Sequence, residues 1–142
     1  MNGQADKADR RTSWTFAGKF LFALLFVAGG IAHFAAPAFY LRLMPPYLPY
    51  HRALVLLSGG IEVALGVMLL IPWTSRLAAW GLIALLIAVF PANLHVFQHQ
   101  DQFPLPWVVH FLRLPAQGLL IWWAYAYTGR AGPVRPPLAE AA

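Results

Sequence analysis

The sequence predicts an all-α integral membrane protein, a four-helix bundle with both termini in the cytoplasm. Of 142 residues, 60% are hydrophobic and only 11% charged, which is too apolar for a soluble domain of this length. The apolar residues fall into four runs, about 14–34, 52–71, 76–97 and 106–127, each near the roughly 20 residues that a helix needs to cross a bilayer. Basic residues gather at the ends of these runs. Four spans would put Lys7, Arg10, Arg11, Lys19, Arg76, Arg130 and Arg135 on one side against Arg42 and Arg52 on the other, and the richer side faces the cytoplasm.

The same counts exclude several classes of function. The formal net charge of +5 comes from residues at segment ends instead of a basic patch, so the lipid bilayer is the expected partner and nucleic acid is not. There is no cysteine, which removes disulfides, thiolate metal sites and thiol relays from this chain.

Residues 1–13 are polar and of mixed charge, a composition that predicts a disordered cytoplasmic tail. Arg10-Arg11 ahead of an apolar run has the look of an export signal, but the run is long enough to span and three more follow, so it reads as a retained helix. Helix 1 ends in GGIAHF, which places Gly29 one turn before His33. The next stretch, AAPAFYLRLMPPYLPYH, has four prolines and three tyrosines. It predicts an extended loop at the interface, with Pro45, Pro46 and Tyr47 folded as a lid over the bundle mouth. Helix 2 follows, and the tight turn after it makes an antiparallel hairpin with helix 3, for which Ser75 is the expected N-cap. Helix 3 contains Pro91 and helix 4 contains Pro115. Residues 14–128 form one domain, and residues 129–142, rich in proline, predict a second disordered cytoplasmic tail.

The polar residues inside these apolar runs are the candidate functional residues, because an ionisable group in hydrocarbon costs at least ~3 kcal/mol and is retained where it faces a protein interior and a partner. Glu62, near the middle of helix 2, is the foremost. Ser58 and Gly66 share its face, and Gly59 and Gly60 adjoin it, small residues that let another helix approach closely. In helix 4, His110, Arg113 and Gln117 share a face by their i, i+3, i+7 spacing. Counting from the outer helix ends at about 1.5 Å per residue puts Glu62 and Gln117 roughly 15 Å deep, Arg113 roughly 10 Å, Asn93 and His110 roughly 6 Å, and His33 at the rim. All lie in the outer half. Pro91 and Pro115 free carbonyls near Ile87 and Phe111 in that same half, where a polar cavity would satisfy them. The sequence therefore predicts an outward-open pocket built from Glu62, Arg113, Asn93, Gln117, His33 and His110, with Glu62 and Arg113 paired directly or through a bridging group.

His33, His95, His99 and His110 all lie near the outer surface, as axial haem ligands can. The pattern disfavours haem, because His95 and Asn93 point to nearly opposite sides of helix 3 and His99 falls near its end. No metal site is expected, and the chain alone carries no evident catalytic set.

GGIAHFAAPAFYLRLMPPYLPYH, SGGIEVALGVMLLIP, SRLAAWGLIALLIAVFPANLHV and LRLPAQGLLIWWAYAYT together resemble the DoxX family of small four-helix bacterial membrane proteins. The resemblance covers nearly all of residues 16–128 and singles out His33, Phe34, Pro45, Pro46, Glu62, Asn93, Arg113 and Gln117. It implies a multi-pass protein of the bacterial inner membrane linked to redox assemblies, among them a subunit of a thiosulfate:quinone oxidoreductase and proteins of oxidative-stress complexes. The expectation is a non-catalytic or quinone- or lipid-interacting subunit with a redox partner protein or a second copy of itself. Two alternatives stand beside it: a proton or small-solute translocator using Glu62, and a purely structural bundle that binds a partner.

Overall fold

The computed structural model describes residues 3–103 and 106–129, with side chains from Phe16 onward. The described residues are all-helical. They comprise α1 (Gly3–Ala35), α2 (Pro37–Arg42), α3 (His51–Leu70), α4 (Ser75–Gln98) and α5 (Trp107–Tyr125), with a 3-10 turn at Gln100–Gln102 between the last two. Three helical stretches are long and apolar enough to cross a membrane, Phe16–Ala35, His51–Leu70 and Ser75–Gln98. Of the tail expected at 129–142, residues 130–142 lie outside the described residues.

Three local expectations are corrected. α1 begins at Gly3, within the segment expected to be disordered. Extension from an existing helix adds a hydrogen bond for each residue fixed and needs no new nucleus. The stretch expected to be an extended loop contains α2 instead. Its only proline, Pro37, stands in the first turn, where the missing N–H is not needed, and the other three follow its end. Finally, Thr74 and not Ser75 occupies the N-cap of α4, with no side-chain cap bond. The Thr74 hydroxyl turns back to donate to Met68 O at 2.7 Å and closes the α3–α4 turn.

α1 packs along α3, α3 along α4, and α4 along α5, with α2 laid over α1 and α3. The α1–α3 contact is the tightest because glycine meets glycine there. A Cβ on Gly30 would fall 2.5 Å from Gly59 O, and one on Gly59 would fall 2.6 Å from His33 Cβ. Gly66 meets Val27 in the same way, whereas a Cβ on Gly60 would find only Phe34 Cζ, at 3.9 Å.

The apolar core fills the half of the bundle nearest the Pro72 turn. Phe22, Phe26, Leu69, Leu82, Ile83 and Ala124 are buried there. Phe22 packs against Phe26 and Trp123 with ring centroids 4.9 and 4.8 Å apart, and Trp123 Nε1 donates to the Tyr127 hydroxyl at 2.9 Å. Outward-facing side chains stay apolar: Phe20, Leu24, Leu77, Ile87, Leu119 and Trp122 are all exposed. A surface of this kind suits lipid and not water. Pro91 and Pro115 lie inside α4 and α5, which continue through them.

Candidate functional site

Where the core stops, a cavity of about 400 Å³ opens between the helices. α1 contributes Gly29 and His33, α3 contributes Ser58 and Glu62, α4 contributes Asn93, and α5 contributes Arg113, against walls that include Phe26, Val55, Leu86, Val89 and Leu120. Four of the six residues predicted for the pocket, Glu62, His33, Asn93 and Arg113, thus share one space. The other two do not line it.

Gln117 is buried between α4 and α5 and acts as a brace. Its amide nitrogen donates to Leu86 O, and its oxygen accepts from Asn93 Nδ2 at 3.0 Å. The carbonyl it caps lies one residue before the Ile87 expected from Pro91. Depth counting had separated Asn93 from Gln117 by several ångströms, yet they touch. Gln117 reaches both Leu86 O and Asn93, about two turns apart along α4, so depth counted along each helix does not decide which side chains meet. His110 is 1% exposed and lies beside Phe103, 6.0 Å between ring centroids. Neither of its ring nitrogens has a hydrogen-bond partner among the described residues, and it stands outside the cavity.

His33 and Glu62 are set by the glycine contact beneath them. Each lies three residues beyond the glycine of its own helix, Gly30 or Gly59, and therefore on the contacting faces. His33 Nδ1 donates to Gly29 O at 2.9 Å and lies 3.9 Å from Glu62 Oε2. Gly29 leaves room for that carboxylate, since a Cβ there would stand 3.2 Å from Oε2. The side chains of His33 and Glu62 are 12% and 15% exposed. With Nδ1–H engaged, the neutral imidazole offers Nε2 as an acceptor.

Glu62 and Arg113, the expected pair, are not within ion-pair distance; the basic side chain within that distance of the carboxylate among the described residues is His33, at 3.9 Å. The two share the cavity without closing it. Tyr40 completes the site and was missed in the sequence because its stretch read as loop. Its ring stacks on His33 with centroids 3.7 Å apart and planes 23° from parallel. Burial pushes the Tyr40 phenol up, Glu62 adds to this and Arg113 opposes it, so the hydroxyl is protonated at neutral pH and able to donate. The available signal was Pro37 followed by five residues with no helix breaker.

The expected lid is also relocated. Phe39, Tyr40, Leu43 and Met44 line the cavity, whereas Pro46 and Tyr47 are exposed. Pro45 is fully buried and its carbonyl accepts from His51 Nε2 at 2.9 Å. It anchors the loop, and α2 covers the mouth. His95 and His99 lie against each other with ring centroids 4.3 Å apart and planes tilted by 37°, and neither lines the cavity. No cluster of three His, Asp or Glu residues suitable for a metal ion occurs among the described residues.

A family model described as a domain of unknown function, DUF8561, matches residues 22–128. The chain belongs to this family. No curated protein and no solved structure matches it significantly. The DUF8561 region runs from Phe22 of the core through Thr128 and takes in every residue of the cavity.

Proposed function

We propose that this DUF8561 protein is a four-span membrane subunit, DoxX-like, that holds a small apolar molecule with a polar head, such as a quinone or lipid, in a pocket of the outer leaflet. It would serve a redox-related system of the bacterial inner membrane, with both termini cytoplasmic. The observation that carries this reading is the cavity itself: mostly apolar walls around a few convergent polar groups, Glu62, His33, Arg113, Asn93 and Tyr40, are what orient a ligand in a binding site. α5 is the proposed fourth span. Its exposed Leu112, Leu119 and Trp122 are suited to lipid, and its polar Arg113 and Gln117 turn inward.

The translocator reading is less well supported, because the side chains of Phe22, Leu82 and Ala124 beneath the cavity offer no polar path onward. The test is an inventory, by mass spectrometry and absorbance, of what the protein retains when purified in mild detergent. A quinone or lipid in equimolar amount is expected. A Soret band would replace this reading with haem, and an empty protein would favour a structural, partner-binding role.

A further inference from the structure

α1 and α5 are the two edges of an incompletely closed bundle. Each packs along its own neighbour, α3 or α4, and they meet near the Pro72 end, where Phe22 lies against Trp123 and Tyr127. Toward the other end both become cavity walls, with Leu25, Gly29 and His33 on one edge and Arg113 and Leu120 on the other. Leu25 lines the cavity and is nonetheless 48% exposed. The cavity thus reaches the outside along the seam between α1 and α5, on a flank of exposed Leu24, Phe111 and Leu119.

We propose that the cavity is loaded sideways from the bilayer, through the α1–α5 seam, by a single-tailed amphiphile whose head carries a hydroxyl group. This rests on the reading of the cavity as a ligand pocket and adds the route and the head chemistry. The route follows from size as well as from the opening. A space of about 400 Å³ accommodates a head and the first carbons of a tail, and a longer tail passes between Leu25 and Leu120 into lipid.

The head chemistry follows from what the walls lack. Glu62 presents oxygens that accept, and His33, its Nδ1–H held by Gly29 O, presents Nε2, which also accepts. Arg113 only donates, and it has no carboxylate partner within ion-pair distance among the described residues. A phosphate or carboxylate head would suit Arg113 and be repelled by Glu62; an ammonium head would meet the reverse. A head with carbonyls alone, an oxidised quinone among them, would be matched by Arg113 and the Tyr40 hydroxyl but would set acceptor against acceptor at Glu62 and His33, so a quinone ligand would be held in its reduced, hydroxyl-bearing form. A hydroxyl both donates and accepts, so one neutral group satisfies both walls.

The test uses the full chain in lipid nanodiscs and three probes with the same ten-carbon tail: 4-decylphenol, its methyl ether 4-decylanisole, and 1-decanol. Binding is measured by titration calorimetry against nanodiscs without protein. A hydroxyl probe should bind roughly tenfold or more tighter than the ether, the usual effect of a hydrogen bond to a charged group. Whether the phenol or the alkanol binds better separates an aromatic from an aliphatic ligand. The seam is tested in the Leu25→Cys/Leu120→Cys variant, joined after folding by a cleavable thiol-specific linker. Probe association, followed by stopped-flow tryptophan fluorescence, should slow about tenfold on linking, an order-of-magnitude expectation for a blocked route, and recover on cleavage. Equal binding of ether and hydroxyl probes overturns the head assignment. Association that ignores the linker overturns the lateral route. Failure of all three probes to bind the unlinked protein would instead remove the pocket reading beneath both.

Discussion

Replacing Gly30 by alanine should destabilise the protein, whereas the same change at Gly60 should stabilise it, and the contrast follows from distances in the helix pair. Alanine improves helix propensity by ~1 kcal/mol at either position. At Gly30 the new methyl would stand 2.5 Å from Gly59 O, 2.8 Å from Val63 Cγ2 and 2.9 Å from Val63 N. Two of these three atoms are backbone and cannot rotate away, so α1 and α3 must part by about 1 Å to restore ordinary contact, and such overpacking costs ~1–3 kcal/mol. Separation also removes close packing along the neighbouring turns, so the upper part of that range applies and a net loss of about 1–2 kcal/mol is expected. At Gly60 the nearest atom is Phe34 Cζ at 3.9 Å, and the gain in propensity survives. Reversible unfolding in mixed micelles measures both. A shift of the same sign and size in the two variants would refute the close-packed α1–α3 contact and, with it, the placement of His33 beside Glu62.

Other outcomes follow from the site and its surroundings. Gln117→Leu should cost about 1–3 kcal/mol, since it strips Leu86 O and Asn93 of a buried partner, and a double-mutant cycle with Asn93→Ala should show coupling between the two side chains. Glu62→Gln and Arg113→Gln should couple by less than ~1 kcal/mol in the unfolding of the empty protein, because no direct pair is broken, while each alone should abolish retention of the copurifying ligand. Thr74→Ala should lower stability by ~1 kcal/mol through the lost bond to Met68 O, without affecting ligand retention. Single cysteines introduced into this cysteine-free chain should be labelled from outside intact cells at Tyr47, which is 68% exposed, and only from the cytoplasm at positions 5 and 140; external labelling at either of those would end the proposed topology.

Much of this arrangement was legible in the sequence because hydrocarbon punishes polarity. Glu62, Asn93 and Arg113 stood out as polar groups in apolar runs, His33 as the end of a glycine-rich turn, and all four line one cavity. Helix limits were legible to within a residue or two for α3, α4 and α5 for the same reason. What failed depended on relations between helices. Gln117 and His110 share a helical face with Arg113, but that face spans both the cavity rim and the α4 contact, and residue spacing cannot divide it. The span of the Gln117 amide across two turns of α4 was likewise invisible, so its contact with Asn93 did not follow from their depths. Tyr40 was hidden by its neighbours: prolines flanking a short helix make its whole neighbourhood resemble a loop.

The order of packing has a consequence for how the protein is made. α1 rests on α3 and α3 on α4, so these helices can assemble as soon as the ribosome has delivered Gln98, with the His33–Glu62 contact already formed. α5 arrives last and brings Arg113, the only Arg among the described residues that lines the cavity, together with Gln117 for the waiting Leu86 carbonyl. Until then no Arg or Lys among the described residues shares the cavity with Glu62. Synthesis of the final helix is therefore the step that completes the site, and a nascent chain stalled before Trp107 would be packed but not yet equipped.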